Sequence, residues 1–487
     1  SRIVLHLPPH KGDKMPETKS KSRWWRSVVG LAAVATLAAA CSSKGGGPTT
    51  TTAGSPAGAS STTAPSSGGS SPSSSSGGSG SSGTNKASAP GITATTITLG
   101  ATEPLTGPAA PGYSEVAPGS VAVFDYVNAH GGVYGRKIKD IVENDQYNPS
   151  ITATKTRKLI LQDNVFALFD PLGTPTDSAV QPFVNAQKVP QLFIASGCAC
   201  WNKPKKFPWS FGWQIDYIDE GKILGQYIKS HYKGQKVGYL YQNDEFGQDG
   251  VKGVDMQVPK SDVVSRQTYD TTTLSAGLNN QMSALKAAGA KVVVLYTIPA
   301  ATALAMLGAA EIGYHPQYVI SDVGADPPTV GGLLKSFSKG KAGPSLLNGA
   351  VTLGFLPSES NASNAWIKLF KGKIWPKYDS KNPWDGNTEY GMAVAWTMVN
   401  LLKAAGRNPT RASLVKTLEA KGSSFKGPGL VPLSYSSSNH YGFEGGRIGT
   451  VTNGGITLSG PVYITTNAGP IKTYSGTPAT PPASFGS

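Results

Sequence analysis

From about residue 96 onward, short apolar runs alternate with longer stretches of helical periodicity. The runs VFALF (165–169) and QLFIA (191–195) are apolar almost throughout, which is typical of strands buried on both faces of a parallel sheet. We predict strands at 96–101, 138–143, 165–169, 191–195, 236–241, 263–269, 291–296 and 318–321. Helices are predicted at 118–129, 151–162, 177–187, 218–231, 247–257, 278–288 and 300–312.

The alternation restarts near residues 209–214, so the chain contains two successive βα arrays of similar length. Two arrays favour an α/β fold with two doubly wound parallel-sheet lobes; one continuous barrel is the alternative. Later elements are predicted as helices at 365–371 (extending to 375) and 389–405, and as β-like pieces at 447–451 and 462–466. Their late position indicates that the chain crosses back between the lobes.

The segment before the first strand has a different composition. Residues 42–91 contain no Leu, Ile, Val, Met or aromatic residue, which accounts for the low hydrophobic fraction of 39% in the whole chain. Such a segment cannot bury enough apolar surface to form a core. We therefore predict a disordered Ser/Gly/Thr tether over 42–91.

An export signal is predicted before the tether. Basic residues at 19–26 precede a short apolar stretch at 27–40, which is too short for a stop-transfer helix. The following run AAAC (38–41) resembles a bacterial lipobox, although Leu37 stands one position further from the cysteine than is usual. We expect lipidation of Cys41, with ordinary signal cleavage as the alternative.

Met15 is the expected start of translation, so that 15–41 is a lipoprotein signal peptide and 1–14 is a mis-called upstream extension. No run of the chain reaches the 18 apolar residues that an ordinary membrane-spanning helix needs.

The net charge of +15 does not indicate a nucleic-acid-binding protein, because the basic residues are scattered apart from a short cluster at 203–206. The predicted folded part also lacks G-x-S-x-G and H-E-x-x-H motifs. Its histidines lie in turns or near helix ends: His130, His231, His315 and His440. We expect no enzyme, no cofactor and no metal site; a hydrolase with a dispersed Ser/His/Asp site is a less favoured alternative.

Five motifs occur in a regular order along the folded part. They are LGATEPLTGP (99–108), NAHGGVYGRKI (128–138) followed by END (143–145), Phe246-Gly247 after KVGYLYQND, TEYGMAVAWTMVNLLKAAG (388–406), and FKGPGLVPLSY (425–435). Together they resemble the type I periplasmic-binding proteins. More narrowly, the chain is similar to the leucine/isoleucine/valine-type branched-chain amino-acid binders of ABC transporters.

The resemblance implies two lobes that are joined by hinge crossovers and close over a small polar solute. Lobe I is expected at 92–215 and 356–430, lobe II at 216–355 and 431–470, and a flexible tail at 471–487.

The implied function is the solute-binding component of an ABC importer, which hands its ligand to a membrane permease. Because the chain has no G-x-x-x-x-G-K-[ST] loop, it is not itself the ATPase. We expect a monomer, lipid-anchored on the extracytoplasmic face of the bacterial cell membrane. A ligand-sensing receptor lobe of the same fold is the alternative.

The resemblance also assigns candidate ligand-binding residues to the loops that follow strands. Thr174, in the turn LGTPT, is expected to bind a ligand carboxylate, and a helix N-cap role is compatible with that. Ser196, Gly197 and Cys198 match the second ligand loop of the family. The remaining candidates are Tyr113, Phe246 and Tyr296, of which the last two are equally well explained as core residues.

Amino-acid binders of this family carry an acid in the second lobe that pairs with the ligand ammonium. In the matching stretch ISDVGAD (320–326), Val323 occupies the expected position and Asp322 lies one residue away. A shift of one residue assigns the role to Asp322. Without that shift, the ligand is expected to be an amide, a carboxylate, an aromatic acid or an alcohol.

Cys198 and Cys200 are the two thiols that remain beside Cys41. Outside the membrane a disulfide between them is allowed, although a bridge between residues two apart needs a tight turn. Free thiols are the equally favoured alternative, and metal binding by two thiols alone is the least favoured, because zinc usually takes four ligands.

Overall fold

The structure, a computed structural model, describes residues 83–482 and contains two β-sheets. The first sheet is parallel with the order β2-β1-β3-β4-β5. Its strands are β1 (Thr96–Glu103), β2 (Lys137–Asn144), β3 (Ala167–Phe169), β4 (Gln191–Ile194) and β5 (Ser210–Gly212). Every residue of β3 and β4 is buried, as the apolar runs predict.

The second sheet has the order β13-β12-β11-β10-β9-β8-β6-β7. Strands β6 to β10 are parallel to one another, whereas β11 pairs antiparallel with β10, and β12 and β13 continue the antiparallel part. Their bounds are β6 (Val237–Gln242), β7 (Val263–Tyr269), β8 (Val292–Tyr296), β9 (Gln317–Ile320), β10 (Val351–Gly354), β11 (Gly445–Thr452), β12 (Gly455–Ile464) and β13 (Lys472–Tyr474). Two separate sheets rule out the single-barrel alternative, and the predicted two-lobe α/β fold is confirmed.

Helices cover the sheets. They are α1 (Ala110–Tyr113), α2 (Val116–Ala129), α3 (Pro149–Leu161), α4 (Thr174–Ala186), α5 (Tyr217–His231), α6 (Glu245–Asp255), α7 (Asn279–Ala287), α8 (Pro299–Glu311), α9 (Pro327–Phe337), α10 (Ala365–Leu369), α11 (Trp375–Tyr378), α12 (Gly386–Ala404) and α13 (Arg411–Lys421). A π-helical turn, Phe370–Ile374, joins α10 to α11. Among residues 83–482 no helix is both long and apolar enough to cross a bilayer.

Side-chain caps fix where several of these helices begin. Asp216 accepts hydrogen bonds from the backbone N–H groups of Ile218 and Asp219 and starts α5, and Asp385 accepts one from Thr388 N–H and starts α12. Each cap satisfies backbone donors that have no partner within the helix.

Three segments connect the lobes, and their aromatic side chains form one cluster. Trp213 follows β5, Phe355 follows β10 and Phe443 precedes β11. Their ring centroids lie 5.2–5.9 Å apart, and Phe443 N–H donates to the Trp213 carbonyl at 3.3 Å. The three connections therefore pack as a unit between the sheets.

Two predicted boundaries need correction. The predicted tether over 42–91 includes residues that bind to the folded part: Lys86 N–H donates to Asn408 Oδ1 at 2.8 Å and Ser88 Oγ donates to the Pro409 carbonyl at 2.7 Å. The predicted flexible tail from 471 contains β13, which pairs with β12. The predicted signal peptide, Cys41 and the tether up to residue 82 lie outside the described residues.

Candidate functional site

A cavity of about 150 Å³ lies between the lobes at the carboxyl ends of the strands. Strand order reverses between β1 and β3 in the first sheet and between β6 and β8 in the second. Such reversal points are where open α/β sheets bind ligands. Loops after these strands supply wall residues from both lobes, including Tyr113, Thr174, Phe246 and Ile298.

Most of the cavity wall is apolar. Its apolar side chains are Val116, Leu172, Ala195, Phe246, Ile298, Val323, Leu353, Phe355, Leu356, Pro357, Ile456 and Leu458, together with tyrosines 113, 147, 217 and 390. A wall of this kind, with few polar groups, suits a small organic solute whose orientation is set by those polar groups.

Thr174 is the first residue of α4 and lies in the cavity wall. Its Oγ1 is 2.7 Å from Ser196 Oγ, and both side chains are buried. The preceding Gly173 has a φ of +119°, a conformation that residues other than glycine rarely adopt, and it also lines the cavity. The N-terminus of α4 therefore begins at the cavity wall, and a helix N-terminus favours an anion. The arrangement can bind a carboxylate through a hydroxyl and backbone N–H groups.

The predicted second ligand loop lies behind Thr174. Ser196, Gly197 and Cys198 are outside the wall, and Cys198 N–H donates to Ser196 Oγ at 3.2 Å, so that this loop positions the Thr174–Ser196 pair. A disulfide joins Cys198 to Cys200, with their Cα atoms 5.1 Å apart.

Two of the three predicted aromatic residues line the cavity. Tyr113 OH donates to the Val323 carbonyl at 3.3 Å and so connects the two lobes, while Phe246 packs on Tyr217 with ring centroids 4.7 Å apart. Tyr296 is not a wall residue: it is fully buried and its ring packs behind Phe246 at 5.8 Å. Because β8 is covered on both faces, reaching the end of the strand does not bring Tyr296 into the cleft.

Asp322 lies in the wall contributed by the second sheet, next to Val323. Gln214 Nε2 is 3.1 Å from its Oδ2, and Ser321 Oγ donates to its Oδ1 at 3.2 Å. Burial raises the pKa of Asp322 to about 6, although hydrogen bonds from these neighbours and from Glu220 oppose the rise. The position therefore presents a hydrogen-bonded carboxylate opposite Thr174.

Glu220, at the start of α5, is the partner of Asp322 that sequence reasoning missed. Its Oε1 accepts the Asp322 backbone N–H at 2.6 Å, and Ser321 Oγ donates to its Oε2 at 3.1 Å. Burial, and then the negative charge of Asp322, raise the pKa of Glu220 well above its usual value. A negative charge on either of these two carboxyl groups therefore disfavours ionisation of the other.

Sequence reasoning also missed Tyr147 and Tyr217 in the wall. Tyr147 has a φ of +57° and follows Asp145, whose Oδ1 accepts the Tyr147 N–H at 2.9 Å. Gln242 Nε2 of the second lobe lies 3.3 Å from Tyr147 OH. The END motif at 143–145 ends two residues before this tyrosine and was the available signal.

Neither a histidine nor a metal-binding cluster occurs in the cavity wall of the described residues. No group of three or more His, Cys, Asp or Glu within 83–482 has the arrangement to hold a metal ion. His440 is fully buried outside the cavity, and burial lowers its pKa to about 4. Its Nδ1 lies 2.9 Å from the Ser210 carbonyl, a structural contact.

Residues 96–456 match the sequence model of the family described as Periplasmic binding protein, so the chain belongs to that family. "Leu/Ile/Val-binding protein homolog 1" of Brucella abortus (strain 2308) is 23% identical over 334 residues, which cover 67% of this chain and 83% of the relative. "Leu/Ile/Val-binding protein homolog 7" of Brucella suis biovar 1 is 24% identical over 234 residues, 46% of this chain and 58% of the relative.

Solved structures share the fold at low sequence identity. A branched-chain amino acid ABC transporter protein from Thermus thermophilus with bound valine has a TM-score of 0.65 at 19% identity, covering 76% of this chain and 97% of that chain. A fatty acid ABC transporter substrate-binding protein from Thermomonospora curvata has a TM-score of 0.66 at 21% identity, covering 78% and 95%. These neighbours bear different ligand names on one fold, so the ligand of this chain has to be argued from its own cavity.

Proposed function

We propose that the protein is the extracytoplasmic solute-binding component of an ABC importer and captures an amino-acid-like solute. The observation that carries the proposal is the pairing of two polar groups across one apolar cavity: Thr174 at a helix N-terminus of one lobe and Asp322 of the other. Thr174 and the N–H groups of α4 suit a carboxylate, and Asp322 suits an ammonium. The relatives named for leucine, isoleucine and valine support this reading.

Lipid anchoring at Cys41, release of solute to a membrane permease, and a monomeric state complete the proposal. Binding is proposed to proceed by hinge closure. Contacts that join the lobes around the cavity support it: Tyr113 OH with the Val323 carbonyl, Gly386 N–H with Asp326 Oδ1 at 2.9 Å, and Ala199 N–H with Asp249 Oδ2 at 2.9 Å. Contacts of this kind are expected when the two lobes are closed, so that a solute in the cavity would be enclosed.

We expect a branched-chain or other amino acid to stabilise the purified protein in a thermal-shift panel that also contains amides, aromatic acids and sugars. A ligand at 100 times its dissociation constant adds about 2.7 kcal/mol to the free energy of unfolding. The same ligand should reduce the radius of gyration in small-angle scattering. A stabilising ligand that causes no compaction would contradict hinge closure, and stabilisation by amides or sugars alone would contradict the amino-acid assignment.

Replacing either hydroxyl of the Thr174–Ser196 pair tests the carboxylate subsite. Thr174→Ala should weaken binding of the stabilising amino acid about 10- to 150-fold, the value of a hydrogen bond to a charged group. Ser196→Ala removes the hydroxyl that orients Thr174 from behind and should weaken binding by a smaller factor. Because the two hydroxyls are bonded to each other, the double variant should lose less than the product of the two effects.

Ser178→Ala is the matched control, since Ser178 lies on the same helix but outside the cavity wall. Isothermal titration calorimetry provides the affinities, and circular dichroism checks the fold. Unchanged affinity in both Thr174→Ala and Ser196→Ala would contradict the proposal that the ligand carboxylate binds at Thr174.

A further inference from the structure

One end of the cavity is surrounded by carboxylates. Asp326, Glu359 and Glu389 line it, and Asp385 and Glu115 lie close to them. The cavity wall contains no Lys or Arg, and within residues 83–482 none of the ion pairs involves any of these acids. Buried carboxylates without a cation are costly unless they are hydrogen-bonded or protonated.

Two of these acids have structural partners. Asp326 accepts the backbone N–H groups of Gly386 and Thr329, both at 2.9 Å, and Asp385 accepts Thr388 N–H at 2.9 Å as the cap of α12. Their positions are explained by the contact between lobes and by helix capping. They do not by themselves indicate a ligand.

Glu359 and Glu389 are different. Glu389 is 2% exposed, lines the cavity and has no hydrogen-bond partner for its Oε1 among the described residues. Glu359 is 6% exposed, and its Oε2 accepts a long hydrogen bond from Ser358 Oγ at 3.3 Å. The two side chains therefore offer acceptors that the folded chain leaves largely unused.

Thr352 gives an independent indication of a ligand, because it is not an acid. Its side chain is 1% exposed and lines the cavity, and its Oγ1 lacks a partner among the described residues. The hydroxyl of Tyr390, also in the wall, is unpartnered in the same part of the chain. A buried hydroxyl costs free energy when it makes no hydrogen bond, so unpartnered groups around one cavity point to a polar occupant.

We propose that Glu359 and Glu389 bind a second cationic group of the solute, an amine or a guanidinium, at the end of an apolar chain that lies along the cavity. This inference rests on the proposed function, because it uses Thr174 and Asp322 for the carboxylate and the first ammonium. It narrows the solute to a dibasic amino acid. The apolar wall residues Leu353, Leu356 and Leu458 suit the methylene chain of such a solute.

Protonation of these carboxylates should make the affinity for a cationic ligand depend on pH. Burial, followed by the charge of Asp326, raises the pKa of Glu359 to about 7. Burial, followed by the charge of Glu359, raises the pKa of Glu389 well above its usual value. The other titratable groups facing this end are also acids: Glu115, Asp326, Asp379 and Asp385. A cationic ligand favours the ionised forms, so its affinity should rise with pH through about 7.

Matched ligand pairs provide the test: lysine against norleucine, and arginine against citrulline, by calorimetry on the full-length protein at pH 8. Members of each pair share the α-amino-acid group and differ in the charge at the far end. We expect lysine or arginine to bind at least about 10-fold more tightly than its neutral counterpart. That preference should shrink at pH 5.5.

The variants Glu359→Gln and Glu389→Gln keep the side-chain shape and remove the charge. Each should reduce the preference for the cationic member about 10-fold or more and leave norleucine and citrulline binding almost unchanged. Asp270→Asn is the control: it removes an exposed carboxylate outside the cavity wall and should change the preference by about twofold or less.

Equal or tighter binding of norleucine and citrulline would overturn the second cationic subsite and leave the proposed function standing. A preference for lysine or arginine that survives both variants would also overturn it. If leucine, norleucine, lysine, arginine and citrulline all fail to bind, the proposed function fails as well, so the two failures are distinguishable.

Discussion

Trp213→Ala is expected to lower the free energy of unfolding by about 3–5 kcal/mol, the usual cost of truncating a fully buried tryptophan. Trp213 is 0% exposed and stands where the chain first leaves the five-stranded sheet. Its ring contacts Phe355 and Phe443 of the other two connections and Tyr390 of α12 at a centroid distance of 5.0 Å. The cavity left by the substitution would remove packing contacts from all three connections between the lobes.

Trp213→Phe separates packing from hydrogen bonding. It keeps an aromatic ring in the cluster and removes the indole Nε1–H donor, which bonds Thr397 Oγ1 at 3.1 Å, so a smaller loss of about 1 kcal/mol beyond the change in ring size is expected. Urea unfolding followed by fluorescence and circular dichroism gives both values. A loss below about 1 kcal/mol for Trp213→Ala would mean that the aromatic cluster does not hold the lobes together.

Local sequence pattern was enough to place most of the sheets. The continuous apolar runs become β3, β4 and β8, and all their residues are buried. It failed for β5 and β10, because these short strands are not part of a long apolar run like the runs that contain β3 and β4. Helices α9 and α13 were also missed, and α4 begins three residues earlier than predicted, at Thr174.

Some residues of the candidate site could likewise be predicted from the sequence, and others could not. Thr174 and Phe246 were assigned by the family resemblance to the segments that follow β3 and β6, and the carboxyl end of a parallel strand faces the cleft. Glu359 and Glu389 were not, because they come from a connection between lobes and from α12 and meet the loop at Asp326 only after the chain has crossed back. The spacing of residues along the chain does not predict that these acids come together. Their proximity depends on how the three connections between the lobes pack.

Asp322→Asn is the substitution for which we expect the largest loss of ligand affinity. Removing one partner of a buried charge pair costs about 2–5 kcal/mol, or roughly 30- to 5,000-fold in affinity for a ligand with an α-ammonium. Because burial raises the pKa of Asp322 to about 6, the wild-type protein should bind such a ligand more tightly as the pH rises through that value. The variant should lose this dependence.

A ligand without the amine isolates the role of Asp322. If leucine stabilises the protein, 4-methylpentanoic acid has the same carboxylate and branched chain, and its affinity should be nearly the same in wild type and Asp322→Asn. Asp270→Asn, an exposed carboxylate of the same lobe, controls for overall charge. Equal losses for both ligands would indicate that Asp322 acts through the hydrogen bond that its side chain accepts from Gln214, which the substitution weakens, and not through the ligand. A loss confined to the amine-bearing ligand requires direct contact between the carboxylate and the ammonium, because no other difference between the two ligands reaches that wall of the cavity.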